Sequence, residues 1–267
     1  ALLRHGSKEQ KDKYLPKISS GELRLQAFGV TEPDAGTDTL SIRTKAEKTK
    51  NGYIINGQKV WTSRAEYSDL MLLLARTSSN KTMKRTEGLS LFIMDSNQSG
   101  IEAKKLDMAD SRNYANIYFN DVSVDESSLL GDLETAGETV ESILDIGRIA
   151  MSAEMLGNAE SAFEITLDYL KQRKQFGALI GSFQALQHRA AEMFCEIELT
   201  KSSVLAAMRA ADENSNELQR LSSLSKTVAG ETLHLVSNEA IQMHGGIAVS
   251  YTHLRAHETE ADLVCRL

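Results

Sequence analysis

The sequence is poor in several features that mark particular classes of protein. Its 267 residues include 2 cysteines, 2 prolines and 1 tryptophan. Cys195 and Cys265 have no C-x-x-C partner, so they predict no disulfide framework and fit a reducing compartment. No apolar run approaches the roughly 18 residues that a membrane span requires, and no signal peptide opens the chain. These absences argue against a secreted disulfide scaffold and against a membrane span.

Charge and motif content exclude further classes. The formal net charge is −7, and lysine and arginine are scattered without a basic block. This distribution argues against a nucleic-acid partner. The sequence contains no HExxH, Walker loop or G-x-G-x-x-G string, so zinc hydrolysis, P-loop chemistry and a Rossmann nucleotide site lack support. With 41% hydrophobic and 25% charged residues, the chain has the composition of a globular protein.

The first half of the chain has the period of β-structure. A short helix from Lys8 to Leu15, capped by Ser7 and stopped by Pro16, precedes an alternating run from Leu23 to Phe28. The all-β pattern continues to about Asp132 and predicts about seven strands, which form a sandwich or small barrel.

One turn inside this region has a specific signal. Asn56-Gly57 lies between two strand-like runs, and this dipeptide is typical of a tight β-hairpin. We therefore expect the chain to reverse direction at Asn56-Gly57.

From about Thr139 the apolar period becomes helical. The pattern predicts three long helices, the first ending near Gln172, the second from about Phe183 to Ala211 and the third from about Glu217 to His244. Short connections between them indicate an antiparallel bundle. The predicted fold class is therefore α+β and multidomain, an antiparallel β-barrel or sandwich followed by a helical bundle.

Four short strings carry the functional signal. The first, F-G-V-T-E-P-D-A-G-T-D at residues 28–38, is a turn crowded with hydroxyl and carboxyl groups after a strand. The others are N-G-Q-K-V-W-T-S at 56–63, R-K-Q-F-G at 173–177 with F-Q-A at 183–185, and Q-M-H-G-G at 242–246. Each is weak alone. In this order and spacing they resemble the acyl-CoA dehydrogenase family, over about residues 5–248.

The resemblance implies a domain organisation. Residues 1–22 match the end of an N-terminal helical domain, 23–133 a middle β-domain, and 134–249 an incomplete C-terminal bundle. Residues 250–267 do not resemble the family, and we expect a tail that is not native, the alternative being an unusual C-terminal helix. In that tail His253 and His257 lie four residues apart without a third ligand, so no metal site is predicted. The sequence is thus expected to be a fragment.

The resemblance also implies FAD as cofactor. The positions that match flavin-ring contacts are Phe28, Val30, Thr31, Trp61 and Ser63. The positions that match contacts to the ADP half of FAD, bound by a neighbouring subunit, are Arg173, Gln175, Phe176, Gln184, Gln242, Gly245 and Gly246. A shared site implies a homodimer or homotetramer. Read from residue type alone, Trp61 is more typical of a core anchor than of a flavin contact. Arg173, read in the same way, is a cation opposing the negative end of a helix.

The implied reaction is α,β-dehydrogenation of an acyl-CoA thioester, in lipid metabolism. A carboxylate removes the α-proton and a hydride passes from the β-carbon to the flavin N5. Thr37, Asp145 and Arg148 match positions near the substrate. Where some members carry a glutamate before this arginine, the chain has Gly147, so no catalytic base is named and the fragment is expected to be inactive.

The resemblance leaves several alternatives open. The acceptor is expected to be an electron-transfer flavoprotein or a similar protein, whereas an acyl-CoA oxidase would pass its electrons to oxygen. A non-catalytic subunit that binds flavin or acyl-CoA is the second alternative. The expected location is the bacterial cytoplasm or the mitochondrial matrix. His244 is expected to pack rather than to react.

Overall fold

The computed structural model describes residues 1–36, 38–78, 87–108 and 113–250. The chain divides into two compact units, Ala1–Glu141 and Ser142–Leu267, and each is described by itself. Thr37 and the tail with His253 and His257 lie outside the described residues, so their expected roles stay predictions. The predicted domain boundaries also stay predictions.

The first unit opens with two helices, α1 (Leu2–His5) and α2 (Lys8–Ser19). The predicted cap of α2 is present as a capping box. Ser7 Oγ accepts from the Gln10 backbone N–H at 3.1 Å, and Gln10 Oε1 accepts from the Ser7 N–H at 3.0 Å. The expectation that Pro16 stops this helix is wrong, because α2 continues through it. In the last turn a proline removes only one hydrogen bond, and its fixed φ is already helical.

Eight strands form the sheet of the first unit. They are β1 (Leu25–Gly29), β2 (Lys45–Lys48), β3 (Gly52–Ser63), β4 (Leu70–Arg76), β5 (Leu89–Asp95), β6 (Ile101–Leu106), β7 (Tyr114–Asp125) and β8 (Leu129–Leu130). Their order is β6-β7-β3-β2-β4-β5-β8, and β1 pairs with β4 in parallel. Most other pairings are antiparallel. The core includes Tyr53, Ile55, Met71, Phe92 and Phe119.

The prediction of a hairpin at Asn56-Gly57 is wrong, since β3 runs through both residues without a turn. The chain reverses direction earlier in the sequence, between β2 and β3 at Asn51-Gly52, where the Thr49 N–H donates to the Gly52 carbonyl at 2.8 Å. Gly57 instead lies at a register shift in β3, with φ of 151°. A Cβ there would approach Thr44 Oγ1 to 2.6 Å. Glycine is thus required by close strand approach rather than by a turn.

The second unit is a bundle of three long helices, close to the predicted ranges. They are α3 (Ala136–Gln172), whose first residues belong to the first unit, α4 (Gln184–Asp212) and α5 (Leu218–His244). A short hairpin of β9 (Lys174–Gln175) and β10 (Ala178–Leu179) connects α3 to α4. Met155, Met193 and Val236 lie in the shared core and are almost fully buried. The sheet followed by a helical bundle confirms the predicted fold class.

No helix within the described ranges is both long enough and apolar enough to cross a membrane.

Candidate functional site

A cleft of about 310 Å³ opens in the first unit where the segment after β1 meets β3 and the paired strands β6 and β7. Its lining comprises Thr31, Glu32, Pro33, Gly36, Val60, Trp61, Leu106 and Asn116. Two of the residues expected to contact a flavin ring, Thr31 and Trp61, therefore lie in one cleft.

Trp61 reaches this cleft because β3 is irregular. The pairing of β3 with β7 shifts register between Lys59 and Thr62, and Trp61 has φ of 58°. A bulge of this kind re-aims a side chain, and bulges are frequent next to active sites. The side chain is 55% exposed, so it is not the core anchor that tryptophan alone would suggest. Ser63, the last residue of β3, is also exposed.

A buried ion pair fixes the segment that carries Thr31. Lys59 is 0% exposed, and its Nζ lies 2.8 Å from Glu32 Oε1. The same ammonium donates to the Val30 carbonyl at 2.9 Å. Lys59 therefore ties β3 to the residues on both sides of Thr31.

Backbone donors complete this attachment. The N–H groups of Arg43 and Thr44 donate to the two oxygens of Glu32, at 2.6 and 2.9 Å. The Val60 N–H donates to the Thr31 carbonyl at 2.9 Å. Four donors, counting Lys59, thus satisfy the Glu32 carboxylate and the adjoining backbone, as a buried charge requires.

Burial and mutual attraction act in opposite directions on the two charges. Burial lowers the pKa of Lys59 to about 8, although the charge of Glu32 and its hydrogen bond oppose the shift. Burial raises the pKa of Glu32, but the charge of Lys59 and the hydrogen bonds outweigh it, so this pKa lies below its ordinary value. At neutral pH the two groups form an ion pair.

Sequence reasoning missed this pair. A lysine in a strand is usually exposed, and the two register shifts in β3 break the alternation that would have marked Lys59 as inward-facing. The only local signal was the charged Glu32 next to Pro33.

The residues around the cleft fit a flat aromatic group with a polar edge. Trp61 supplies a large exposed aromatic surface to the cleft. Phe28 and Val30, which are half-buried apolar residues of β1 and the segment after it, and Ser63 are not among the residues that line the cleft. Thr31 and Ser63 supply hydroxyl groups, and within the described part of the chain neither hydroxyl is engaged in a hydrogen bond. Apolar walls with a few polar groups are the usual lining of a cofactor pocket.

A second group of predicted residues lies on the hairpin after α3. The turn residues Phe176 and Gly177 both have positive φ, 55° and 77°. Phe176 is 90% exposed. Its ring packs edge to face against that of Phe183, with the ring centroids 6.3 Å apart. Arg173, Gln175 and Gln184 are exposed as well. The exposed rings of Phe176 and Phe183 form an aromatic patch beside polar side chains, and apolar patches rimmed by polar residues mark surfaces that contact another molecule.

The predicted residues at the end of α5 lie at the same end of the bundle. The His244 ring stacks on the Tyr169 ring, with the ring centroids 4.3 Å apart. Arg173 follows Tyr169 by one helical turn at the end of α3. His244 is buried and its Nδ1 donates to the Ala240 carbonyl at 2.7 Å, so it packs as expected.

Two glycines follow His244. Gly245 has φ of 61°, and both Gly245 and Gly246 are exposed with nothing within 4 Å of an added Cβ. Gln242 in the last turn of α5 is also exposed. The hairpin and this turn are therefore both exposed and lie at the same end of the bundle.

Asp145 and Arg148, predicted near the substrate, form a pair on α3. Arg148 Nη1 donates to Asp145 Oδ1 at 2.7 Å, and Asp145 is 6% exposed. Between them Gly147 is exposed, and a Cβ there would meet nothing within 4 Å. Gly147 carries no acid or base, and Asp145 is occupied by its partners.

Comparison with known proteins agrees with this geometry. The model of the acyl-CoA dehydrogenase middle domain matches residues 27–122, and that of the C-terminal domain matches residues 137–262. The chain is 37% identical, over 245 residues, to the probable acyl-CoA dehydrogenase YngJ of Bacillus subtilis, covering 90% of this chain and 63% of YngJ. It thus spans less than two thirds of that relative.

Solved structures show the same fold. Butyryl-CoA dehydrogenase from Megasphaera elsdenii matches with a TM-score of 0.91 and 30% identity, covering 98% of this chain and 69% of that one. An FAD complex of PigA matches with a TM-score of 0.88 and 30% identity, covering 96% of this chain and 67% of that one. Since models of one family match both units and solved members match nearly the whole length, the chain belongs to the acyl-CoA dehydrogenase family.

Proposed function

We propose that this chain supplies the flavin-binding and acyl-binding parts of an oxidoreductase that removes hydrogen from the α and β carbons of an acyl-CoA thioester. The observation that carries the proposal is the cleft in which exposed Trp61 meets Thr31, on a segment fixed by the Lys59–Glu32 pair. The family membership and the name of butyryl-CoA dehydrogenase support the substrate class.

The cofactor of this proposal is FAD, with its ring held by Phe28, Val30, Thr31, Trp61 and Ser63. FAD held there would supply the hydride acceptor for the reaction. Trp61 covers apolar surface and excludes water. The hydroxyls of Thr31 and Ser63 donate hydrogen bonds to the polar edge, where a fixed donor is worth about 3 kcal/mol to developing negative charge.

The substrate side of the proposal is carried by Arg148, with Asp145 as its partner and Thr37 as a predicted acyl-CoA contact. Arg148 is partly exposed, and its guanidinium offers donors to the acyl group. No residue of the described ranges is assigned as the base. Arg173, Gln175, Phe176, Gln184, Gln242, Gly245 and Gly246 are proposed to bind the ADP half of a partner subunit's FAD. An electron-transfer flavoprotein as acceptor and a cytoplasmic or matrix location stay parts of this proposal.

The flavin assignment is tested by fluorescence titration. Trp61 is the single tryptophan of the chain, so tryptophan emission reports on the cleft directly. Adding FAD should quench this emission in a saturable way. Thr31→Val should weaken binding about tenfold or more, as loss of a hydrogen bond to a charged group predicts. Thr49→Val, at an exposed turn outside the cleft, is the matched control.

Unsaturable or absent quenching of Trp61, with unchanged FAD fluorescence, would refute the flavin site. Trp61→Phe separates the two signals, because it removes the protein emission and leaves the quenching of FAD itself measurable.

A non-catalytic subunit that binds acyl-CoA is the second candidate, and Gly147 favours it. A carboxylate at Gly147 has open space on the exposed side of α3, next to Arg148. Gly147→Glu should therefore oxidise butyryl-CoA, with an artificial electron acceptor, at a measurable rate that exceeds the rate of the unmodified chain. Gly147→Gln, of equal size without a base, is the control and should stay inactive. Turnover by the unmodified chain would show that a base is already present.

A further inference from the structure

A buried polar network joins α3 to α5 beside Arg148. Asp145 Oδ1 accepts two hydrogen bonds, one from Arg148 Nη1 and one from Ser222 Oγ, both at 2.7 Å. Ser222 lies on α5, is 0% exposed, and is 77 residues from Asp145 in sequence. The carboxylate that holds the arginine is thus itself held by a hydroxyl of another helix.

The hydroxyl proton of Ser222 is donated to Asp145. Ser222 Oγ is also 3.0 Å from the Gln219 carbonyl of its own helix. The distance to the carboxylate is shorter, and a hydrogen bond to a carboxylate is about twice as strong as one to a neutral acceptor. Ser222 therefore acts mainly as a donor to Asp145 and not as a helix-bonded serine.

Two further serines fix the register of the helices at this level. Ser152 Oγ donates to the Arg148 carbonyl at 2.6 Å, and Ser225 Oγ donates to the Ser222 carbonyl at 3.0 Å. Their oxygens lie 3.3 Å apart, and both side chains are 0% exposed. The two hydroxyls therefore meet at the contact between α3 and α5, beside the Ser222–Asp145 hydrogen bond.

We propose that Ser222 is a positioning residue that acts through Asp145 to hold the guanidinium of Arg148 for the acyl group of the substrate. The inference rests on the proposed function, because it needs Arg148 to face an acyl-CoA thioester. Arg148 Nη1 contacts Asp145 and the arginine side chain is 32% exposed, so a fixed carboxylate sets the orientation of the guanidinium plane. Without Ser222, Asp145 and Arg148 stay paired but lose their fixed orientation.

A double-mutant cycle on substrate binding tests this role. Calorimetric titration with butyryl-CoA, in excess FAD, compares the unmodified chain with Ser222→Ala, Arg148→Met and the double variant. Ser222→Ala should weaken binding about three- to tenfold. In the Arg148→Met background the same change should have no further effect, because its route to the substrate has been removed.

Ser237 provides the matched control. It is a buried serine of the same helix, and its Oγ donates to the His234 carbonyl at 3.1 Å. Ser237→Ala should leave the affinity unchanged. Ser222→Cys, nearly the same size with a weak donor, serves if the alanine variant does not fold, and it should also weaken binding.

The outcomes separate the inference from the proposed function. If the unmodified chain does not bind butyryl-CoA, the proposed function fails. If it binds and Arg148→Met weakens binding, but Ser222→Ala and Ser222→Cys bind as tightly as the unmodified chain, the positioning role is overturned. It is overturned equally if Ser222→Ala weakens binding by the same factor with and without Arg148, or if Ser237→Ala matches it.

Discussion

The Lys59 ammonium and the Glu32 carboxylate are nearly inaccessible to solvent, at 0% and 6% exposure of their side chains. Each group depends on the other, since an ion taken out of water costs several kcal/mol unless it is paired and hydrogen-bonded. Because Lys59 also binds the Val30 carbonyl, the pair determines where Thr31 enters the cleft. Lys59, which is not among the residues that line the cleft, therefore fixes the position of the proposed flavin contact.

Lys59→Met should destabilise the first unit by about 3 to 5 kcal/mol, because it leaves Glu32 buried and unpaired. Glu32→Gln combined with Lys59→Met should recover most of this loss, since both charges are gone. Urea unfolding measures the free energies. Lys48→Met, which removes an exposed ion pair with Glu126, is the control and should change the unfolding midpoint little. Equal losses in the single and double variants would contradict the pairing argument.

The same lysine predicts a pH dependence of stability. Its pKa is about 8 in the folded protein and 10.5 ordinarily, so between these values the unfolded chain binds the proton more tightly. Folding therefore becomes more favourable as pH rises through this window, by about 2 kcal/mol between pH 7 and 9.5. The contribution is complete above the unfolded pKa and is lost as pH falls through the folded pKa.

The comparison to make is the unfolding free energy of the unmodified chain minus that of the Glu32→Gln/Lys59→Met variant, at steps from pH 7 to 9.5. This difference cancels groups that titrate in both proteins. A difference that does not change with pH would mean that burial does not lower the pKa of Lys59.

At the scale of single elements, β3 is organised by its two register shifts. One is at Gly57, where the strand passes close to Thr44, and the other turns Trp61 outward. A regular strand of the same length would put alternate residues on opposite faces and could not bring Lys59 inward while leaving Trp61 exposed. The irregularity of the strand is thus the structural basis of the cleft.

Two glycines, one closely packed and one with open space around it, test whether β3 requires glycine at its first register shift. Gly57→Ala should destabilise the protein by about 2 to 4 kcal/mol, because the new Cβ meets Thr44 and φ is positive. Gly157→Ala, exposed on α3 with nothing near its Cβ, should stabilise by about 0.5 to 1 kcal/mol. Thermal and urea unfolding give both values. Similar effects of the two changes would show that Gly57 is not sterically required.

At the scale of the whole molecule, the exposed hairpin after α3 bears on whether the chain assembles with a second copy. A phenylalanine at 90% exposure contributes little to the stability of its own chain and much to an interface in which it becomes covered. Arg173 lies beside it, exposed, at the same end of the bundle as Gly245. This surface is where the proposed partner subunit and its FAD would be bound.

Arg173→Ala and Phe176→Ala should therefore lower FAD occupancy and weaken self-association together, by about tenfold or more, with unfolding unchanged. Sedimentation velocity and the absorbance of bound flavin measure the two effects. Lys171→Ala, exposed in the last turn of α3, is the control. Loss of FAD with unchanged assembly, or the reverse, would contradict a site shared between subunits.

Local patterns in the sequence were sufficient to predict those elements whose structure depends on residues close together in the chain. The helix cap at Ser7 and the three long helices follow from residue type and spacing within one segment. The four strings likewise indicated the family without any knowledge of contacts. Pro16 and Asn56-Gly57 misled because a local signal was overridden, in one case by an established helix and in the other by strand packing.

By itself the sequence determined the fold class, the family and the side chains available to the proposed site. Only the tertiary structure decided how these side chains are held. The Lys59–Glu32 pair joins residues 27 apart, and the Ser222–Asp145 bond joins residues 77 apart. Such contacts depend on strand register and on the closeness of two packed helices. Periodicity describes which face of one element is buried, whereas register and packing decide which residues of two elements meet.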